Sequence, residues 1–184
     1  MITMSNPILT SFDKRALVLA QLILSTEEVY QNAEEAEKGL LETLVGAAIW
    51  YLPNLPELFN QKISKAALAS LVENPSKTRL VEEHAIPRKV AGRLLYTKYL
   101  EDLKKDPSIL VRLYLDFFGR YNLVLKPEND RLRKFQRTTV FTTEEEAYKK
   151  ADIELVDFSE AEYREYKRQV RMAPRSGDWD EKKR

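Results

Sequence analysis

The chain's one histidine, His84, lies in the stretch "TRLVEEHAIPRKV", residues 78–90, directly after Glu82 and Glu83. Two later stretches carry further polar side chains. "YNLVLK" brings Asn122 at its start, and "PENDRLRK" presents Glu128, Asn129 and Asp130. A divalent cation such as Mg²⁺ takes oxygen ligands and keeps several waters, so one carboxylate and one amide or carboxylate can hold it against a phosphate. A neutral imidazole beside them can take a proton from the attacking water, because its pKa lies near neutrality. The metal would stabilise charge on the phosphate and on the leaving oxygen. These residue types are therefore a minimum set for metal-assisted hydrolysis.

The pattern around these residues predicts the elements that must position them. "TRLVEEH" reads as a short strand and "YNLVLK" as the clearest strand in the chain. "PENDRLRKFQ" runs from proline through acids to bases, the order expected along a helix from its N-terminus. Between them, "PRKVAGRLLYTKYLEDLKK" and "DPSILVRLYLDFFGRY" read as helices, the second ended by Gly119. Upstream, residues 11–31 predict a helix with Phe12, Leu17, Leu19, Leu22, Ile23 and Val29 on its apolar face. Residues 33–51 predict another, stopped by "LPNLP". "SKAALASLVE" follows as a short helix with Ser64 as its N-cap. Downstream, "TTVF" reads as a strand, Thr143 as a helix cap, "IELVDF" as a strand, and the charged stretch from Ser159 as a helix to about Met172 with a loose tail.

The phrases "EHAIP", "NLVLK" and "KPENDRL" resemble the HNH, or ββα-metal, nuclease family, in which an acid–His pair near the end of one strand is followed by a second strand and a helix. The resemblance covers roughly residues 78–135. It implies an α+β fold, mainly helical, with a ββα-metal core preceded by a helical N-terminal region. It further implies phosphodiester hydrolysis in nucleic acid, DNA before RNA, with Mg²⁺ or Mn²⁺ as cofactor. His84 would be the general base, Glu83 and Asn129 metal ligands, and Asn122 the residue that braces the loop. Glu83 stands where family members carry Asp or His, and the 38 positions from His84 to Asn122 hold two predicted helices, read as an insertion. The seven-position step from Asn122 to Asn129 leaves Asp130 or Arg131 open as the final ligand.

Basic residues flank this stretch: Arg88, Lys89 and Arg93 on one side, Arg131, Arg133 and Lys134 on the other. They are candidates for neutralising phosphates, although a solvated helix face accounts for each one singly. Thirty Lys and Arg against 29 Asp and Glu leave a formal net charge of +1, so only a local patch can favour a polyanion. The chain has no cysteine, which excludes disulfides, thiolate zinc sites and cysteine nucleophiles and fits a cytoplasmic protein. Its start lacks the pattern of a signal peptide, and no apolar run reaches the length of a membrane span. The expected organisation is a helical region over 1–74, an HNH-like core over 75–158 and a charged helix and tail over 159–184. The competing expectation is a non-catalytic helical binding or regulatory protein.

Overall fold

The computed structural model describes residues 7–75, 77–84, 86–136 and 144–172. The strand expected at 138–141, the cap at Thr143 and the tail lie outside them. Phe12, Ala16, Leu19, Ala20 and Ile23 recur at three- and four-residue intervals, and α1 (Pro7–Ser25) buries all five on one face. Leu17, Leu22 and Val29 were expected on that face and are exposed. The single helix expected over 11–31 is interrupted at Thr26. Its hydroxyl donates back to the Leu22 carbonyl at 2.8 Å and the Ile23 carbonyl at 3.2 Å, a bond that bends helices. The chain resumes as α2 (Glu27–Asn32).

A reciprocal capping box between Glu34 and Glu37 opens α3 (Glu35–Ile49). A 3₁₀ turn at Pro56–Leu58 then leads into β1 (Phe59–Ser64), a strand absent from the sequence expectations. Its pairing is irregular between Phe59 and Ile63, and Gln61 adopts φ 56°. That bulge breaks the alternation by which a strand is read. Ser64 caps α4 (Lys65–Glu73) as expected, accepting the Ala67 N–H at 3.1 Å. β2 (Leu80–Glu83) follows, then α5 (Arg88–Tyr96), α6 (Leu100–Lys105) and α7 (Ile109–Leu113), which runs on into a π turn at Tyr114–Phe118 before Gly119. The remaining elements are β3 (Tyr121–Leu125), α8 (Lys126–Gln136), α9 (Glu144–Lys150), β4 (Leu155–Asp157) and α10 (Glu160–Met172).

The protein is thus a mainly helical α+β fold around a small mixed sheet of order β2-β3-β1-β4. β1 and β3 run parallel, while β2 and β4 pair antiparallel with β3 and β1. One sheet face presents Phe59, Ile63, Tyr121 and Leu123 to the helical layer, where they pack with residues such as Phe12, Leu95 and Tyr163. That buried cluster draws on each of the stretches 1–74, 75–158 and 159–184. The opposite face presents Val81 and Val124 to Leu132 of α8 and to Ala147 and Tyr148 of α9. β3 is therefore covered on both sides, which explains its near-continuous apolar run. Among the described residues no helix is long and apolar enough to cross a membrane.

α3 and α5 cross with their backbones in contact. A Cβ on Gly46 would lie 2.0 Å from the Arg88 carbonyl oxygen, and one on Gly92 would lie 2.0 Å from the Glu42 carbonyl oxygen. Neither oxygen can move without opening the crossing. Gly46→Ala and Gly92→Ala are each expected to cost about 3 kcal/mol or more by overpacking. Gly39→Ala, whose Cβ would meet only the end of the Lys89 side chain at 3.0 Å, should change stability little. Urea denaturation midpoints of the three variants check this.

Candidate functional site

Successive side chains of a strand point to opposite faces, and this separates Glu83 from His84. Leu80, Glu82 and the following His84 face the helical layer, while Val81 and Glu83 face α8 and α9. The antiparallel register places Glu83 opposite Asn122 and Glu82 opposite Leu123.

His84 stands at the end of β2 with its ring against Trp50 (centroids 3.6 Å apart, 65° between planes) and 5.7 Å from Tyr121. Its Nδ1 lies 3.1 Å from the Arg120 carbonyl oxygen. A carbonyl only accepts, so Nδ1 carries the proton and Nε2 is the basic nitrogen. Burial pushes the His84 pKa down to about 4, and the nearby Arg88 charge acts the same way against the opposing bonds to the Arg120 and Gly119 backbone. The imidazole is neutral at pH 7. The neighbouring Trp50 indole N–H is buried and has no acceptor among the described residues.

Glu83 is only 4% exposed. The Tyr148 hydroxyl donates to its Oε2, and Asn122 Nδ2 donates to the Tyr148 oxygen at 3.0 Å. Asn122 thereby fixes the direction of the tyrosine proton, toward a carboxylate acceptor. Tyr148 comes from α9 and was not anticipated. The trace it leaves in the sequence is the apolar spacing of Ala147, Tyr148 and Ala151 on a short charged helix, which marks a buried face but no chemistry.

The start of α8 is held by Glu128, a buried carboxylate. Its Oε2 accepts the Leu125 N–H at 2.8 Å and the Ser64 hydroxyl at 2.5 Å. Glu128 is thus a cap that ties α8 to the end of β1. Asp130 pairs with Lys126 at 2.8 Å on the outer side. Between the two, Asn129 is half-buried and lines a cleft of about 700 Å³ together with Glu83, His84, Trp50, Arg88 and Arg133. The structure therefore brings Glu83, His84 and Asn129 to one cleft at the open edge of the sheet. Asn122 lines a different cleft, of about 660 Å³, shared with Tyr148, Asn60 and Lys62.

The basic candidates divide. Arg88 lies over the Trp50 ring, 5.1 Å from its centroid, and Arg133 is exposed at the cleft. Lys134 is exposed on α8. Arg131 donates to the Ala151 carbonyl at 3.1 Å. Arg93 and Lys89 serve Glu42, a carboxylate only 2% exposed at the α3–α5 crossing. Arg93 Nε lies 2.8 Å and Lys89 Nζ 3.9 Å from its oxygens, and Tyr30 donates to it at 3.0 Å. Glu82, beside the site residues in sequence, takes the Tyr163 hydroxyl at 2.6 Å and the Asn54 amide at 3.1 Å. Burial and this carboxylate raise the Tyr163 pKa.

The donor set can be weighed against a hydrated Mg²⁺. Glu83 and Asn129 both line the cleft and carry oxygen donors of the type such an ion takes, but the Glu83 carboxylate is turned to the Tyr148 hydroxyl. No group of three or more His, Asp or Glu that could hold a metal ion occurs among the described residues. No family model, curated protein or solved structure matches the chain.

Three outcomes follow from the geometry. His84 favours its neutral form on folding, so stability should fall as pH drops from about 6.5 through about 4, by at most about 3 kcal/mol. The unfolded chain binds the proton first, which sets the sign. In His84→Gln this part of the slope should vanish from urea midpoints measured against pH. Arg93→Ala should cost about 2 kcal/mol, less than the roughly 3–5 of a fully buried pair, because Lys89 and Tyr30 stay on Glu42. Arg133→Ala, on an exposed helix face, should leave the thermal midpoint unchanged.

Proposed function

We propose that the protein is a metal-dependent nuclease that hydrolyses phosphodiester bonds in nucleic acid, DNA before RNA. The observation that carries this reading is the convergence of Glu83, His84 and Asn129 on one cleft flanked by Arg88 and Arg133. The local order also supports it: two antiparallel strands, β2 and β3, followed directly by helix α8. The three intervening helices, α5 to α7, one more than the two expected from the sequence, and the rest of 85–120 would then be an insertion into a ββα core.

The chain's own residues have distinct tasks in this reading. Glu83 and Asn129 would hold Mg²⁺ or Mn²⁺. When bound, such an ion supplies charge stabilisation at the phosphate. His84, with Nδ1–H fixed on the Arg120 carbonyl, presents Nε2 as the acceptor for a proton from water. Its lowered pKa keeps Nε2 unprotonated across the neutral range and makes it a weak base. Tyr148, oriented by Asn122, holds the Glu83 carboxylate in place through a hydrogen bond. Arg88 and Arg133 flank the cleft as phosphate contacts.

A second reading, a non-catalytic binding protein, draws on a specific observation: Glu83 is almost fully buried and bonded to Tyr148. Nicking of supercoiled plasmid in Mg²⁺ or Mn²⁺ separates the two. The nuclease reading expects His84→Ala to lose about 10²- to 10⁴-fold in rate while remaining folded. It also expects Glu83→Gln and Asn129→Ala to shift activity to higher metal concentration. Nucleic-acid affinity should fall with salt, and Arg133→Ala should reduce the log–log slope by about one. A wild-type protein that shows the salt slope but forms no product with either metal supports the second reading.

A further inference from the structure

The outer faces of α1 and α3 carry apolar side chains that nothing in the described chain covers. Val18 is 66% exposed, Leu22 48%, Leu40 60%, Leu44 56% and Tyr51 81%. Leu40, Leu44 and Tyr51 follow the i, i+4, i+11 spacing of one stripe on α3, continued onto the residue just past its end. Val18 and Leu22 sit one turn apart on α1. The two groups are neighbours in space. Arg15 donates to the Tyr51 carbonyl at 3.2 Å, and Tyr30, just beyond the end of α1, donates to Glu42 midway along α3 at 3.0 Å, so the two helices run antiparallel. Counting inward from that bond at equal rise per residue sets Leu22 beside Leu44. The buried sides of both helices, through Ala16, Ile23, Val45 and Ile49, join one core, so these exposed sides share one outer surface. None of the five residues lines the cleft described above.

We propose that this surface is an interface between two copies of the chain, related by a two-fold axis near Leu22 and Leu44, so that each α1–α3 pair packs on the other as a four-helix layer. Charge selects a second copy as the occupant. At one end of the stripe stand Lys14 and Arg15, and at the other Glu34 and Glu37. All four are exposed, and none makes an ion pair among the described residues. A two-fold arrangement with the α3 helices antiparallel brings the basic end of each copy against the acidic end of the other, as isologous contact requires. The side chains also supply enough area. Five residues at these exposures present roughly 600 Å² per copy, the upper end of the largest apolar patch on a typical monomer, and about 1,200 Å² in total, the lower bound of stable specific interfaces.

The test is the solution mass of the full chain by sedimentation velocity from about 1 to 100 μM. Wild type is expected to be a dimer. Leu44→Lys is expected to be a monomer with the circular dichroism spectrum of the wild type. Lys14→Glu should weaken association at least about tenfold at low salt and approach wild-type behaviour at high salt. Because the chain has no cysteine, Leu44→Cys reports the axis without relying on a disruptive change: under mild oxidation it should give a disulfide-linked dimer. A wild-type chain that stays monomeric to the highest concentration overturns the proposal. So does a Leu44→Lys variant that dimerises as tightly as wild type. A monomer that instead co-sediments with phosphatidylglycerol vesicles through Leu40 and Leu44 also overturns it and assigns the face to lipid.

Discussion

The pairing of β2 with β3 is the constraint on which the cleft depends. Their antiparallel register sets Glu83 opposite Asn122, and through it every side chain of β2 is assigned to a face. A slip of one residue would exchange the faces of Glu83 and His84, because strand side chains have a period of two. Glu83 would lose Tyr148, and His84 would leave the ring of Trp50. β3 can impose this register because it is buried on both sides, by the helical layer and by α8 and α9. Among the described residues β2 lies at the sheet edge with one strand partner and takes its position from it.

Among the described residues, three buried carboxylates mark the joints of the structure. Glu42 sits where α3 crosses α5, Glu83 where β2 meets α9, and Glu128 where α8 starts beside β1. A carboxyl group out of water is costly unless it is hydrogen-bonded. Here the donors come from other elements: Arg93 and Tyr30 for Glu42, Tyr148 for Glu83, and Ser64 for Glu128. Each acid therefore couples two or three segments far apart in sequence. Removing one donor leaves a buried polar oxygen without its partner, so these joints resist being reassembled in another register. The α3–α5 joint adds a steric condition, since Gly46 and Gly92 allow carbonyl oxygens where any side chain would collide.

α3 works on three sides. Its inner face joins the core through Val45 and Ile49, one flank carries Glu42 and Gly46 against α5, and the outer stripe of Leu40 and Leu44 stays exposed. Trp50, at its end, reaches the cleft and bears on His84 and Arg88. The helix thus connects the crossing that stabilises the helical layer to the ring that packs on the histidine.

Local signals settled much of this protein in advance. The apolar spacing of Phe12, Leu19 and Ile23, the cap at Ser64, the strand "YNLVLK", the stop at Gly119 and the helix after Ser159 are all properties of neighbouring residues, and each recurs in the fold. The grouping of Glu83, His84 and Asn129 was legible for a related reason: they lie at the ends of short elements that follow one another around a single edge. What sequence could not show depends on contacts between distant segments. Strand β1 hid behind its bulge at Gln61, and the break at Thr26 split a helix whose periodicity looked continuous. Arg93 reads as a free cation until α3 brings Glu42 beneath it, and Tyr148 reads as an ordinary apolar position until β2 and β3 place Glu83 and Asn122 against its hydroxyl. Propensity and periodicity act over one or two turns of chain, whereas the protonation, burial and partner of a polar side chain are set by whatever the tertiary fold packs against it.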